Sequence, residues 1–111
     1  NPLACAAAHA VLDVIEEDDI CTHAQTQGQR VVENLRTALA GNNAVKEVRG
    51  VGMMIAVELN ADAPALVSDA LHDGLLINVT QGNIVRLLPP LNLSDQEADE
   101  LVSKLAQLLN R

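Results

Sequence analysis

The chain has 111 residues, enough for one domain around one core. Hydrophobic residues make up 49% of it and none is aromatic, which excludes base stacking on aromatic rings as a means of holding nucleic acid. A net charge of −8, from 15 acids against 7 bases, opposes a phosphate backbone, and no apolar run is long enough for a membrane span. Residues 2–17 read as a helix, with Asn1 as N-cap and Pro2 at the first helical position. Leu3, Ala7, Ala10, Val11, Val14 and Ile15 recur at helical spacing. An Asn-Pro helix start of this kind suits a position inside a longer chain.

The acids Glu16 to Asp19 mark a break and read as a solvated helix junction, not a metal site. A second helix is expected over 20–40, its buried stripe made of Ile20, Ala24, Gly28, Val31, Val32, Leu35 and Leu39. Gly28 within that stripe points to a close helix crossing. Gly41 with Asn42 and Asn43 reads as a C-cap and turn. Residues 45–59 read as strands, Met53, Ile55, Val57 and Leu59 alternating with Met54, Ala56 and Glu58. Gly50-Val51-Gly52 between them reads as a bulge or tight bend. A third helix is expected over 63–73, capped by Asp62 or Ala63, started by Pro64, and facing inward with Leu66, Val67, Ala70 and Leu71. Leu75 to Val79 reads as a strand, Thr80-Gln81-Gly82-Asn83 as a turn, and Ile84 to Leu88 as the returning strand, stopped by Pro89-Pro90. Ser94 and Glu97 form a capping box at the start of the last helix, whose Leu101, Val102, Leu105, Leu108 and Leu109 face the core. The result is an α+β domain: a small, mostly antiparallel sheet of three or four strands packed with helices. The apolar face of the first helix extends beyond the core of the rest.

Few residues offer chemistry. Cys5 and Cys21 read as reduced thiols, and His9, His23 and His72 are too scattered for a zinc site. The start of the first helix could take an anion, as any helix start can. The Gly50-Val51-Gly52 step lacks the third glycine of a dinucleotide fingerprint and precedes a strand. Lys46 and Lys104 have no buried setting that would suit Schiff-base work. Arg86 is the exception. It shares a strand face with Ile84 and Leu88, where a guanidinium needs a carboxylate or phosphate partner, or must reach solvent. Its planar fork suits a carboxylate in bidentate geometry.

Four stretches carry a resemblance: Asn1 to Ala8, Val48 to Leu59, Gly74 to Val79, and Val85 to Ser94. In order and spacing they resemble the C-terminal part of class-III pyridoxal-phosphate aminotransferases, and within that class the acetylornithine aminotransferases of arginine biosynthesis. The resemblance implies the C-terminal small domain of a fold-type I pyridoxal-phosphate transferase over 41–111, with 1–40 as helices leading out of the large domain. It implies that Arg86 binds the α-carboxylate of the amino-acid or 2-oxo-acid substrate. It implies that the Schiff-base lysine, the acid facing the pyridine nitrogen, the aromatic that stacks on the cofactor and the phosphate-binding threonine lie upstream of Asn1. No catalytic or cofactor-binding residue is then expected in this chain, and no pyridoxal 5'-phosphate on the chain alone. Arg49 reads as structural. The expected partners are the rest of the aminotransferase chain and a second subunit in a homodimer; the expected location is cytoplasmic. The competing reading is a stand-alone amino-acid-binding or dimerisation module.

Overall fold

In the computed structural model, which describes residues 1–111, eight elements follow in the order α-α-β-β-α-β-β-α. They are α1 (Pro2–Glu17), α2 (Ile20–Ala38), β1 (Val45–Val51), β2 (Met54–Leu59), α3 (Leu66–His72), β3 (Asn78–Thr80), β4 (Ile84–Leu87) and α4 (Asp95–Leu109). The sheet has four strands in the order β1-β2-β4-β3, every neighbour antiparallel. The fold is therefore α+β, as the pattern of elements predicts.

One face of the sheet is covered by helices. The alternation of β2 turns Ile55, Val57 and Leu59 inward, and β4 adds Val85 and Leu87. Against them α2 sets Val31, Val32 and Leu35, and α4 sets Ala98, Val102, Leu105, Ala106 and Leu108. Leu35 and Leu105 are wholly buried, each worth about 1.5–3 kcal/mol over exposure. α2 and the sheet thus share a single core. α4 starts where the sequence says: Ser94 accepts from the Glu97 amide and Glu97 reaches back to Ser94 N–H. These bonds hold the Glu97 carboxyl below its usual range, the Ser94 amide contributing most.

α1 stands apart. Asn1 Oδ1 accepts from the amides of Leu3 and Ala4, so the cap uses the donors an anion would need. No residue of α1 is buried, and Leu3, Val11, Leu12 and Val14 are exposed. With α1 extending from the core, the chain measures 49 × 27 × 22 Å.

Five expectations need correction. The tight approach at Gly28 is not a helix crossing: a Cβ there would sit 1.8 Å from the carbonyl oxygen of Gly52, in the turn joining β1 to β2. Gly52 takes φ 53° in that turn, a left-handed value glycine adopts freely. α3 begins only at Leu66, because Ala63 N–H is drawn to Gly82 O and Leu66 N–H closes a turn on Ala63 O. Only Leu66 and Ala70 of α3 are buried; Val67 and Leu71 face solvent. Leu75 does not start a strand. Its N–H bonds Ala70 O while Gly74 N–H bonds Leu71 O, the paired closure that ends a helix at a glycine. β3 is thereby postponed to Asn78 and extends through Thr80, leaving Gln81, Gly82 and Asn83 as the turn.

Candidate functional site

The other face of the sheet carries no helix, and register decides what stands on it. Arg49 on β1 lies opposite Ala56 on β2, Ala56 opposite Arg86 on β4, and Arg86 opposite Asn78 on β3. One row across the sheet therefore reads Arg49, Ala56, Arg86, Asn78. The next row carries Glu47, Glu58, Ile84 and Thr80. A shallow hollow of about 360 Å³ opens here, lined by Arg49, Met54, Ala56, Thr80, Ile84 and Arg86 among others.

Charge on this face is unevenly committed. Glu58 Oε1 accepts from Lys46 at 2.5 Å and Oε2 accepts from Arg49 at 2.7 Å, and Arg49 also donates to Glu47 at 2.9 Å. The Glu58 carboxyl, 16% exposed, is held below its ordinary range chiefly by its hydrogen bond from Lys46, then by that from Arg49. The Arg49 guanidinium is raised in turn, first by its bond to Glu58. A lowered carboxyl stabilises the fold above its ordinary value, and that contribution is lost as pH falls through the lowered one. Lys46→Ala is expected to move Glu58 back up toward its ordinary 4.5, read by NMR titration of that carboxyl; an unmoved titration would show the ion pair absent in solution.

The remaining bases are engaged as well. Arg30 pairs with Asp95 and Asp99, Arg36 donates to Val48 O, Lys104 pairs with Glu100 and Arg111 with Asp73. Of the seven bases only Arg86 has no partner in the chain, and it is exposed. Glu58 stands diagonally across from it, but both carboxylate oxygens of Glu58 are taken by Lys46 and Arg49. Arg86 is therefore left with a free fork beside a small side chain, Ala56.

The other sequence candidates do not join it. His23 Nε2 bonds Leu93 O and His72 Nδ1 bonds Ser68 O, both serving local structure. Cys5 and Cys21 are exposed and unpaired. Lys46 is ion-paired with Glu58 and Lys104 with Glu100. A larger hollow of about 700 Å³ lies between α2 and the β1–β2 turn, but its one cation, Arg36, is spent on Val48 O. Thr80, half-buried on the open face, escaped the sequence reading because it was placed in a turn. No helix is long and apolar enough to cross a membrane.

The family model described as "Aminotransferase class-III" matches residues 1–109. Acetylornithine aminotransferase 1 of Bordetella pertussis is 46% identical over 111 residues, covering 100% of this chain and 28% of that protein. Acetylornithine aminotransferase of Methanothermobacter thermautotrophicus is 36% identical, with 99% and 28% covered. Among solved structures, acetylornithine aminotransferase from Elizabethkingia anophelis superposes with a TM-score of 0.92 at 30% identity, over 99% of this chain and 30% of that one. An aminotransferase from Bacillus anthracis gives 0.93 at 27% identity, over 100% and 28%. The chain thus spans 28% of the length of these curated relatives.

Proposed function

Because this chain belongs to the class-III aminotransferases, a family of pyridoxal-phosphate enzymes, we propose that it supplies the substrate-carboxylate site of one. The donor would be N-acetylornithine or a related ω-amino acid, the acceptor 2-oxoglutarate, and the setting arginine biosynthesis in the cytoplasm. The observation that carries this reading is Arg86: an unpartnered guanidinium on an open sheet face, beside Ala56. A fork of parallel N–H donors is complementary to a carboxylate. The relatives named acetylornithine aminotransferase support the donor class. A stand-alone module is not favoured, since the family match runs over 1–109.

Pyridoxal phosphate supplies the electron sink for amino transfer when bound. The residues present do not provide its anchoring lysine, so its binding would fall to the rest of the chain and to a second subunit. What this chain would contribute is orientation: Arg86 fixes one end of the substrate, while the closed Glu58 network keeps competing carboxylate away from it. Residues 41–111 with α2, which shares their core, would form the small domain, and α1 the helix leading to the large one.

The test is a substrate panel on the full-length protein that contains this segment. With 2-oxoglutarate as acceptor, N-acetylornithine is expected to give glutamate faster than ornithine, succinylornithine or 4-aminobutyrate. A slower rate than any of these would overturn the donor assignment; no glutamate from any of them would overturn the transaminase reading. The 111-residue chain by itself is expected to be inactive.

A further inference from the structure

Hydroxyl groups on this chain can be accounted for as completely as its bases, because it has four threonines, three serines and no tyrosine. Thr22 bonds Asp19, Thr26 bonds Thr22 O, Thr37 bonds Glu33 O and Ser68 bonds Ala65 O. Ser94 serves the capping box and Ser103 accepts from Gln107. Only Thr80 makes no hydrogen bond through its side chain. The one unpartnered hydroxyl and the one unpartnered cation therefore line the same hollow.

Register brings the two within reach. Thr80 pairs with Ile84 and Arg86 with Asn78, so Thr80 and Arg86 are diagonal neighbours on one face. Such diagonal positions lie roughly 7–8 Å apart at Cα, a gap a long side chain crosses. Thr80 is half-buried, and its branched Cβ restricts where the hydroxyl can point. Asn78, though directly opposite Arg86, is exposed and lies outside the hollow.

We propose that the Thr80 hydroxyl donates a hydrogen bond to the same substrate carboxylate that Arg86 holds, a third contact that fixes the carboxylate's rotation. The chemistry leaves room for such a donor. A carboxylate offers about four acceptor positions, of which a bidentate guanidinium fills two. A hydroxyl bonded to an ionised oxygen makes one of the stronger hydrogen bonds available to a neutral side chain. The substrate class is any amino or 2-oxo acid that presents its carboxylate to Arg86. The inference rests on the reading of Arg86 given above.

The experiment uses the full-length aminotransferase and measures the dissociation constant of 2-oxoglutarate by calorimetry, beside its KM. Thr80→Val keeps the shape and removes the donor; it is expected to weaken binding roughly tenfold. Thr80→Ser keeps the donor and is expected to stay within about threefold of the parent. In an Arg86→Ala background, Thr80→Val is expected to lose most of its effect, because the two groups share one ligand. Binding unchanged by Thr80→Val, Thr80→Ser as weak as Thr80→Val, or an effect undiminished in the Arg86→Ala background each overturns the proposal. Arg86→Ala weak with Thr80→Val normal overturns the hydroxyl contact alone. Arg86→Ala without effect overturns the carboxylate reading of the face, and this contact with it.

Discussion

Arg86→Ala in the full-length enzyme is expected to raise KM for both the amino acid and the 2-oxo acid by about a hundredfold. The magnitude follows from losing two charge-assisted hydrogen bonds, each worth about 1.5–3 kcal/mol, against a partial replacement by water. Arg86→Lys keeps the charge and loses the fork, so it is expected to recover only part of the affinity. The fold is expected to be indifferent, with stability changed by no more than about 0.5 kcal/mol, since Arg86 is exposed and holds nothing in the chain. That separation is the strength of the test: steady-state kinetics should move and the melting curve should not. Unchanged KM in both half-reactions would remove Arg86 from the site.

Gly28→Ala is expected to produce the opposite pattern, a large loss of stability without any contact to substrate. In an unobstructed helix the change from glycine to alanine stabilises by about 1 kcal/mol. Here the added methyl would stand 1.8 Å from Gly52 O and 2.4 Å from Gly52 C, both backbone atoms that no rotamer change can move aside. Overpacking of this kind costs about 3 kcal/mol, enough to reverse the sign. A net loss near 2 kcal/mol would lower the melting temperature by roughly 10 °C. Far-UV circular dichroism must follow it, because the chain has no Trp, Tyr or Phe. A melting temperature equal to the parent's or higher would mean that α2 and the β1–β2 turn do not meet this closely in solution.

These two residues also mark what could be read from the sequence. Local signals were legible. The Ser94–Glu97 box, the Asn1-Pro2 start and the alternation from Met53 to Leu59 depend on neighbours a few residues away. Arg86 was legible because the sequence sets a cation between the apolar Ile84 and Leu88, an anomaly that demands an explanation even though β4 itself ends at Leu87 and not, as expected, at Leu88. Non-local partners were not. Gly28 announced a close approach, but nothing near it says that the approaching backbone is Gly52. Leu75 to Ile77 has a strand's composition, yet the Leu75 amide is claimed by the end of α3 before a strand can use it. The isolation of Arg86 depends on Glu58 being taken by Lys46 and Arg49. That is a fact of register between β1, β2 and β4, and no window of sequence contains it. Thr80 was hidden for the same reason: its role on the open face exists only once β3 is paired with β4.

The strand order has one more implication. With β2 and β4 inside, β1 and β3 are the two free margins of the sheet, each offering backbone groups to which a stranger's strand could bind. Both margins are blunted. β3 is only three residues long, too short a template for stable pairing. β1 is longer but carries Lys46, Glu47 and Arg49, and its register slips between Val45 and Glu47. An incoming strand would have to bury those charges against a kinked template. The sheet is thus protected against growing into a fibril, and clumping of this chain would be routed through the greasy side of α1.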